Sequence, residues 1–162
     1  MTAASLEWTD KFLLGYGPMD DVHREFVELV NALRTCSDVE IPAALDAFAQ
    51  HAERHFSEEL KWMKATDFPA TECHGDEHAA VLKSVHEVQA LVAKGDCTHV
   101  RSLADALVDW FPGHADYLDS ALAHWLVKKR HGGAPVVLRR GVKPTESADD
   151  TEPFNPPQRS AQ

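Results

Sequence analysis

Cysteine is scarce in this chain of 162 residues, and the three present, Cys36, Cys73 and Cys97, are odd in number and widely spaced. That excludes a disulfide-stapled secreted scaffold and fits reduced thiols. No apolar run approaches the roughly 20 residues that cross a bilayer, and residues 1–10 lack the basic and apolar stretches of a secretion signal. The expected compartment is therefore the cytoplasm, with no membrane insertion. Basic residues are few: 16 Lys and Arg against 26 Asp and Glu leave a net charge of -10. Counterion release from nucleic acid therefore cannot drive binding. The cluster Lys128-Lys129-Arg130 reads as favourable charge at a helix C-terminus. Strand-like period-two alternation is missing too, and so is any Glu-x-x-His pair.

What the chain has is helical periodicity. From Asp20 to Cys36 apolar residues recur through Val22, Phe26, Val27, Val30 and Leu33, after Gly17-Pro18. Pro42 suits a first helical turn, and a second helix runs over Ala43 to Ala65, ending before Asp67-Phe68-Pro69. A third covers Thr71 to Lys94 and stops at Gly95. Asp96 or Thr98 can cap a fourth, in which Leu103, Leu107, Trp110, Leu118, Leu122 and Leu126 recur as far as Arg130, with Pro112-Gly113 inside it. Short connections favour antiparallel neighbours, so the expected fold is all-α, an up-down-up-down four-helix bundle over residues 18–131. Residues 1–17, with Trp8, Phe12, Leu13 and Leu14, form an arm over one end of the bundle. Residues 132–162 hold five of the nine prolines among polar residues and read as a disordered tail. Its apolar Val136-Val137-Leu138 is the place where an unidentified protein partner would dock.

Metal-type side chains recur on all four helices: His23; His55 with Glu59; His74 with His78; His114 with Asp119. Positions four apart on a helix share a face, so His55 and Glu59 grip one space, as do His74 and His78. Five imidazoles and two carboxylates buried without a cation would cost several kcal/mol. Asp119 follows His114 by five residues, about 140° from its face on a straight helix, so a wide turn or kink must close the gap, near the backbone bond that Pro112 removes. The alternative is that Asp119 faces solvent, with Asp116 or nothing in its place. Asp20, Glu58 and Asp116 are candidates to orient ligand imidazoles, although solvation is the simpler reading of each. His51 is a boundary residue, while His86, His99, His124 and His131 are ordinary, partly exposed histidines. Cys73, beside His74, is a packing residue.

From Trp8 to Trp125 the pattern resembles the hemerythrin family, specifically its single-domain bacterial members. The resemblance rests on Asp20-x-x-His23, His55-Phe56-x-x-Glu59, His74-x3-His78 and Trp110-x3-His114-x4-Asp119. It implies that His74, His78 and His114 bind one iron, that His23 and His55 bind a second, and that Glu59 and Asp119 bridge them. The implied cofactor is two Fe ions, an oxo- or hydroxo-bridged di-iron centre with one vacant position for dioxygen. The chain departs from the family pattern at Pro112-Gly113 and at small Ala115, which bears on pocket shape and oxygen access and not on the ligand set.

The resemblance implies reversible dioxygen binding for storage, delivery or sensing by a monomer, and no enzymatic role. Five neutral imidazoles donate less charge than the carboxylate-rich sites of ferritin-like oxidases, so binding is favoured over activation. Phe26, Phe56, Trp110 and Leu118 are expected to keep water from the vacancy. The alternative is a di-iron enzyme acting on peroxide or nitric oxide. More remote is a zinc metallopeptidase, because His74-Gly75-Asp76-Glu77-His78 also matches His-x-x-Glu-His.

Overall fold

The computed structural model describes residues 5–130 and Gly132, and all regular structure among them is helical. The long helices are α1 (Gly17–Thr35), α2 (Ile41–Ala65), α3 (Thr71–Val92) and α4 (Val100–His114); α4 continues through a π-helical stretch (Ala115–Asp119) into α5 (Ser120–Arg130). The α4-to-α5 rod counts as one helix, so the architecture is a four-helix bundle in which α1 packs on α2 and α4, and α3 on α2 and α4. The tail, His131 and Val136-Val137-Leu138 lie outside the described residues. No helix among those described is long and apolar enough to cross a membrane.

Each boundary has a local cause. Pro18 and Pro42 sit in the first turns of α1 and α2, where no amide hydrogen bond is lost. The end of α2 is a Schellman motif: Phe68 N–H donates to the Met63 carbonyl at 2.9 Å and Asp67 N–H to that of Lys64 at 3.4 Å. Asp67 takes the left-handed conformation, φ 52°, and Phe68 packs with Met63. The same bonding ends α3 around Gly95, φ 87°, although the helix proper stops at Val92 rather than Lys94. Asp96 does not cap α4; its carboxylate accepts from the backbone and hydroxyl of Thr98, and His99 holds the cap position. The last carbonyls of α1 are met from another helix, because the Arg101 guanidinium donates to Leu33 O and Cys36 O.

Two apolar clusters fill the bundle. The larger includes Phe26, Phe48, Leu45, Val85, Leu107 and Phe111; the smaller joins Leu14, Met19, Met63, Phe68, Leu122 and Leu126. The arm spans both rather than covering one end. Leu6 belongs to the larger and Leu14 to the smaller, and Asn31 clasps Leu6 by accepting from its N–H and donating to its carbonyl. Metal-type residues mark the join of the two clusters: His23 lies between Met19 and Phe26, Glu59 between Phe56 and Met63, and Asp119 between Ala115 and Leu122. The bundle thus places a polar layer across an apolar rod.

Candidate metal centre

All seven sequence-predicted residues are in that layer, each at most 5% exposed. Helical spacing points His55 and Glu59 inward together from α2, and His74 and His78 from α3. On the fourth rod the π-helical stretch over Ala115–Asp119 supplies the irregularity that five-residue spacing demands, so Asp119 returns to the face of His114. Asp119 is fully buried and Asp116 exposed, which rules out the solvent-facing alternative.

The five imidazoles present Nε2 to the two carboxylates. Glu59 Oε1 lies 2.8 Å from His55 and 3.7 Å from His23, while its Oε2 lies 3.2 Å from His74 and 3.4 Å from His78. Asp119 divides likewise, with Oδ2 3.0 Å from His23 and Oδ1 3.0 Å from His74 and 3.1 Å from His114. Each carboxylate therefore turns one oxygen to the histidines of α1 and α2 and the other to those of α3 and α4. The donors fall into two groups within 4.8 Å, His23, His55 and Glu59 in one, and Glu59, His74, His78, His114 and Asp119 in the other.

The donor set fits a cation better than it fits itself. His23 Nε2, His74 Nε2, Glu59 Oε2 and both oxygens of Asp119 are buried without an aligned hydrogen-bond partner, despite their short separations. They converge on a common space rather than on each other, and unmet buried polar atoms are expensive. Burial would drive the His23 and His74 pKa values down, but Asp119 and Glu59 outweigh it and lift them to about 10 and about 9. Burial and the neighbouring Asp119 push Glu59 up, yet the surrounding imidazoles hold it below the usual carboxylate range. Burial dominates at His78, which falls to about 3.

The sequence profile described as Hemerythrin HHE cation binding domain matches residues 14–126. The chain belongs to the hemerythrin family. It is 39% identical over 124 residues to a bacteriohemerythrin from Ralstonia nicotianae, an alignment covering 76% of this chain and 90% of that protein. The crystal structure of wild-type hemerythrin superposes with a TM-score of 0.71 at 24% identity, covering 76% of this chain and 98% of that one. A hemerythrin point mutant gives the same TM-score and coverage. A metal site is thus expected of the family and matched by a buried His/Glu/Asp cluster in the fold.

Around the hemerythrin site, several sequence readings need correction. Asp20 is buried and not solvated; its carboxylate accepts from Leu14 N–H at 2.8 Å and Gly15 N–H at 3.2 Å, pinning the arm. Cys73 is exposed rather than packed. A carboxylate not named from sequence in this role reaches the outer side of a cluster imidazole: Glu77 Oε2 lies 2.8 Å from His114 Nδ1. It escaped notice because the contact crosses from α3 to α4. Phe111 was also missed: it stacks on Phe26, centroids 4.7 Å apart, and meets His23 edge-on at 5.3 Å. Its place three residues before His114 was the available signal. Phe56 and Trp110 stack on His78 and His114, whereas Leu118 is only half-buried. His51 is buried beside His55, with Nδ1 3.4 Å from Glu25.

Proposed function

We propose that this chain holds two iron ions and binds dioxygen reversibly, for storage, delivery or sensing, as a cytoplasmic monomer. His23 and His55 would hold one ion, His74, His78 and His114 the other, with Glu59 and Asp119 shared. The observation that carries this reading is the division of both carboxylates, each offering one oxygen to each histidine group. A single ion would leave one oxygen of each carboxylate and two imidazoles unserved.

When bound, an iron pair supplies the electrons that reversible dioxygen binding requires. The chain's own residues do the rest. Glu59 and Asp119 offset cationic charge in a low-dielectric interior, and the preponderance of neutral imidazoles favours binding over oxidative turnover. Phe26, Phe111, Phe56 and Trp110 wall the layer with rings and keep water from it. Glu77 is turned to the outer nitrogen of His114 and is not directed at the cluster, which argues against a zinc peptidase in which it would be the base.

The test is anaerobic reconstitution of the reduced protein with ferrous salt, iron analysis, and absorption spectra before air, after air and after argon purging. Two irons per chain and a charge-transfer band that comes and goes with oxygen are expected. One metal per chain, or sustained peroxide or nitric oxide turnover above the autoxidation rate, would overturn the reading. His114→Ala should lose iron, whereas His124→Ala, at an exposed position, should not.

A further inference from the structure

The backbone leading into His114 lacks one regular helical hydrogen bond. Pro112, two residues before it, has no N–H, so the Val108 carbonyl lacks its partner one turn on. Gly113 adds backbone freedom, and the π-helical stretch begins immediately after. His114 is nevertheless gripped on two sides by side chains. The indole of Trp110 stacks on its ring, centroids 4.2 Å apart and planes 28° apart. From the opposite helix, the Glu77 carboxylate takes its Nδ1 at 2.8 Å.

That second contact fixes chemistry as well as position. An ionised carboxylate can only accept, so the proton must sit on His114 Nδ1. In the neutral imidazole that a metal requires, the lone pair is then on Nε2, which is the atom facing the cluster, 3.1 Å from Asp119 Oδ1 and 3.0 Å from His78 Nε2. The arrangement is also unequal across the layer. The Nδ1 atoms of His23, His55 and His74 have no protein hydrogen-bond partner among the described residues. Glu77 itself is half exposed while the imidazole it holds is buried, 47% against 2%. Its carboxylate therefore stays in contact with water while reaching inward through one hydrogen bond.

We propose that Glu77 is a positioning residue for the cluster. It locks His114 in the metal-binding tautomer and raises the donor strength of that imidazole, making the three-histidine half of the site the more electron-rich one. The inference rests on the ligand set proposed above. Carboxylate partners of this kind affect metal affinity by roughly 10- to 100-fold.

The experiment compares Glu77→Gln, Glu77→Ala and His114→Ala with the unmodified full chain, each loaded with ferrous iron. Three quantities are read: iron per chain, the rate of iron release to a chelator, and the midpoint potential. Glu77→Gln should still bind two irons, release them tens of times faster, and show a more positive potential, because the amide keeps a polar contact but loses the charge. Glu77→Ala should exceed it in release rate. Circular dichroism should be unchanged, since Glu77 is at the surface. A Glu77→Gln protein with unchanged release rate or unchanged potential, while His114→Ala loses iron, would overturn the role of Glu77 and leave the ligand set standing. If His114→Ala keeps both irons, the ligand set falls and this proposal falls with it.

Discussion

The rings of Phe56 and His78 lie face to face, their planes 7° apart and their centroids 3.9 Å apart. Both line an open, mostly apolar groove between α2 and α3, about 380 Å³ in volume, with Ser57, Leu60, Gly75 and Leu82. Phe56 thus covers one face of an imidazole that itself borders the groove. Phe56→Ala should cost about 3–5 kcal/mol, as large aromatic truncations in cores do. Urea denaturation of the metal-free protein measures this, and chelator challenge of the loaded protein should show faster metal loss. A cost below about 1 kcal/mol would mean the ring is not packed as described.

Metal-free protein should be most stable near neutral pH and weaken on both sides. His23 and His74, lifted to about 10 and about 9 by Asp119 and Glu59 against burial, contribute stability that is complete below their unfolded pKa and lost as pH rises through those values. Burial lowers His78 to about 3 and His51 to about 4, so each costs stability as pH falls below the unfolded value of about 6.5. Glu59 and Asp119, held low by the imidazoles despite burial, add to that acid-side loss. Melting temperature against pH tests the profile.

Metal binding needs the same imidazoles deprotonated, so loading near neutral pH should release protons and retention should fall as pH drops. An indicator dye in weak buffer reads the release. Chelation of loaded protein should lower its melting temperature, since a cation bound only by the folded state stabilises it. Proton-neutral loading would mean that His23 and His74 are not the proton holders.

Gly113 lies within helical backbone, and a Cβ built there meets nothing within 4 Å. Gly113→Ala should therefore stabilise the protein by about 0.5–1 kcal/mol through helix propensity. Denaturant midpoints measure it, with iron content unchanged. Destabilisation would show that the stretch before His114 needs the freedom of glycine.

Asp20→Ala should release the arm. Two backbone amides lose their acceptor, at a cost of about 1–3 kcal/mol, and Phe12 loses its hold over Phe111, 5.3 Å away. Burial raises the Asp20 pKa even though the Leu14 and Gly15 amides favour its ionised form, so the residue is costly as well as useful. Hydrogen exchange over residues 6–16 should quicken in the variant while α2 stays protected. Equal exchange in the arm of both proteins would assign its anchoring elsewhere, to Asn31.

The sequence alone determined what a helical backbone makes local. With about 3.6 residues per turn, His55 must share a face with Glu59 and His74 with His78, wherever those helices pack. The same arithmetic required an irregularity between His114 and Asp119, and the π-helical stretch supplies it. The bundle, its breaks at Asp67 and Gly95, and the seven-residue layer follow from periodicity and punctuation of that kind.

Tertiary structure decided everything that crosses between helices. Which oxygen of Glu59 faces which histidine, the reach of Glu77 to His114, the turning of Asp20 to the arm, the exposure of Cys73 and the path of the arm along both clusters depend on how each helix is rotated and shifted against its neighbours. That rotation is set by the summed packing of apolar side chains from all the helices at once. No single stretch of sequence carries it.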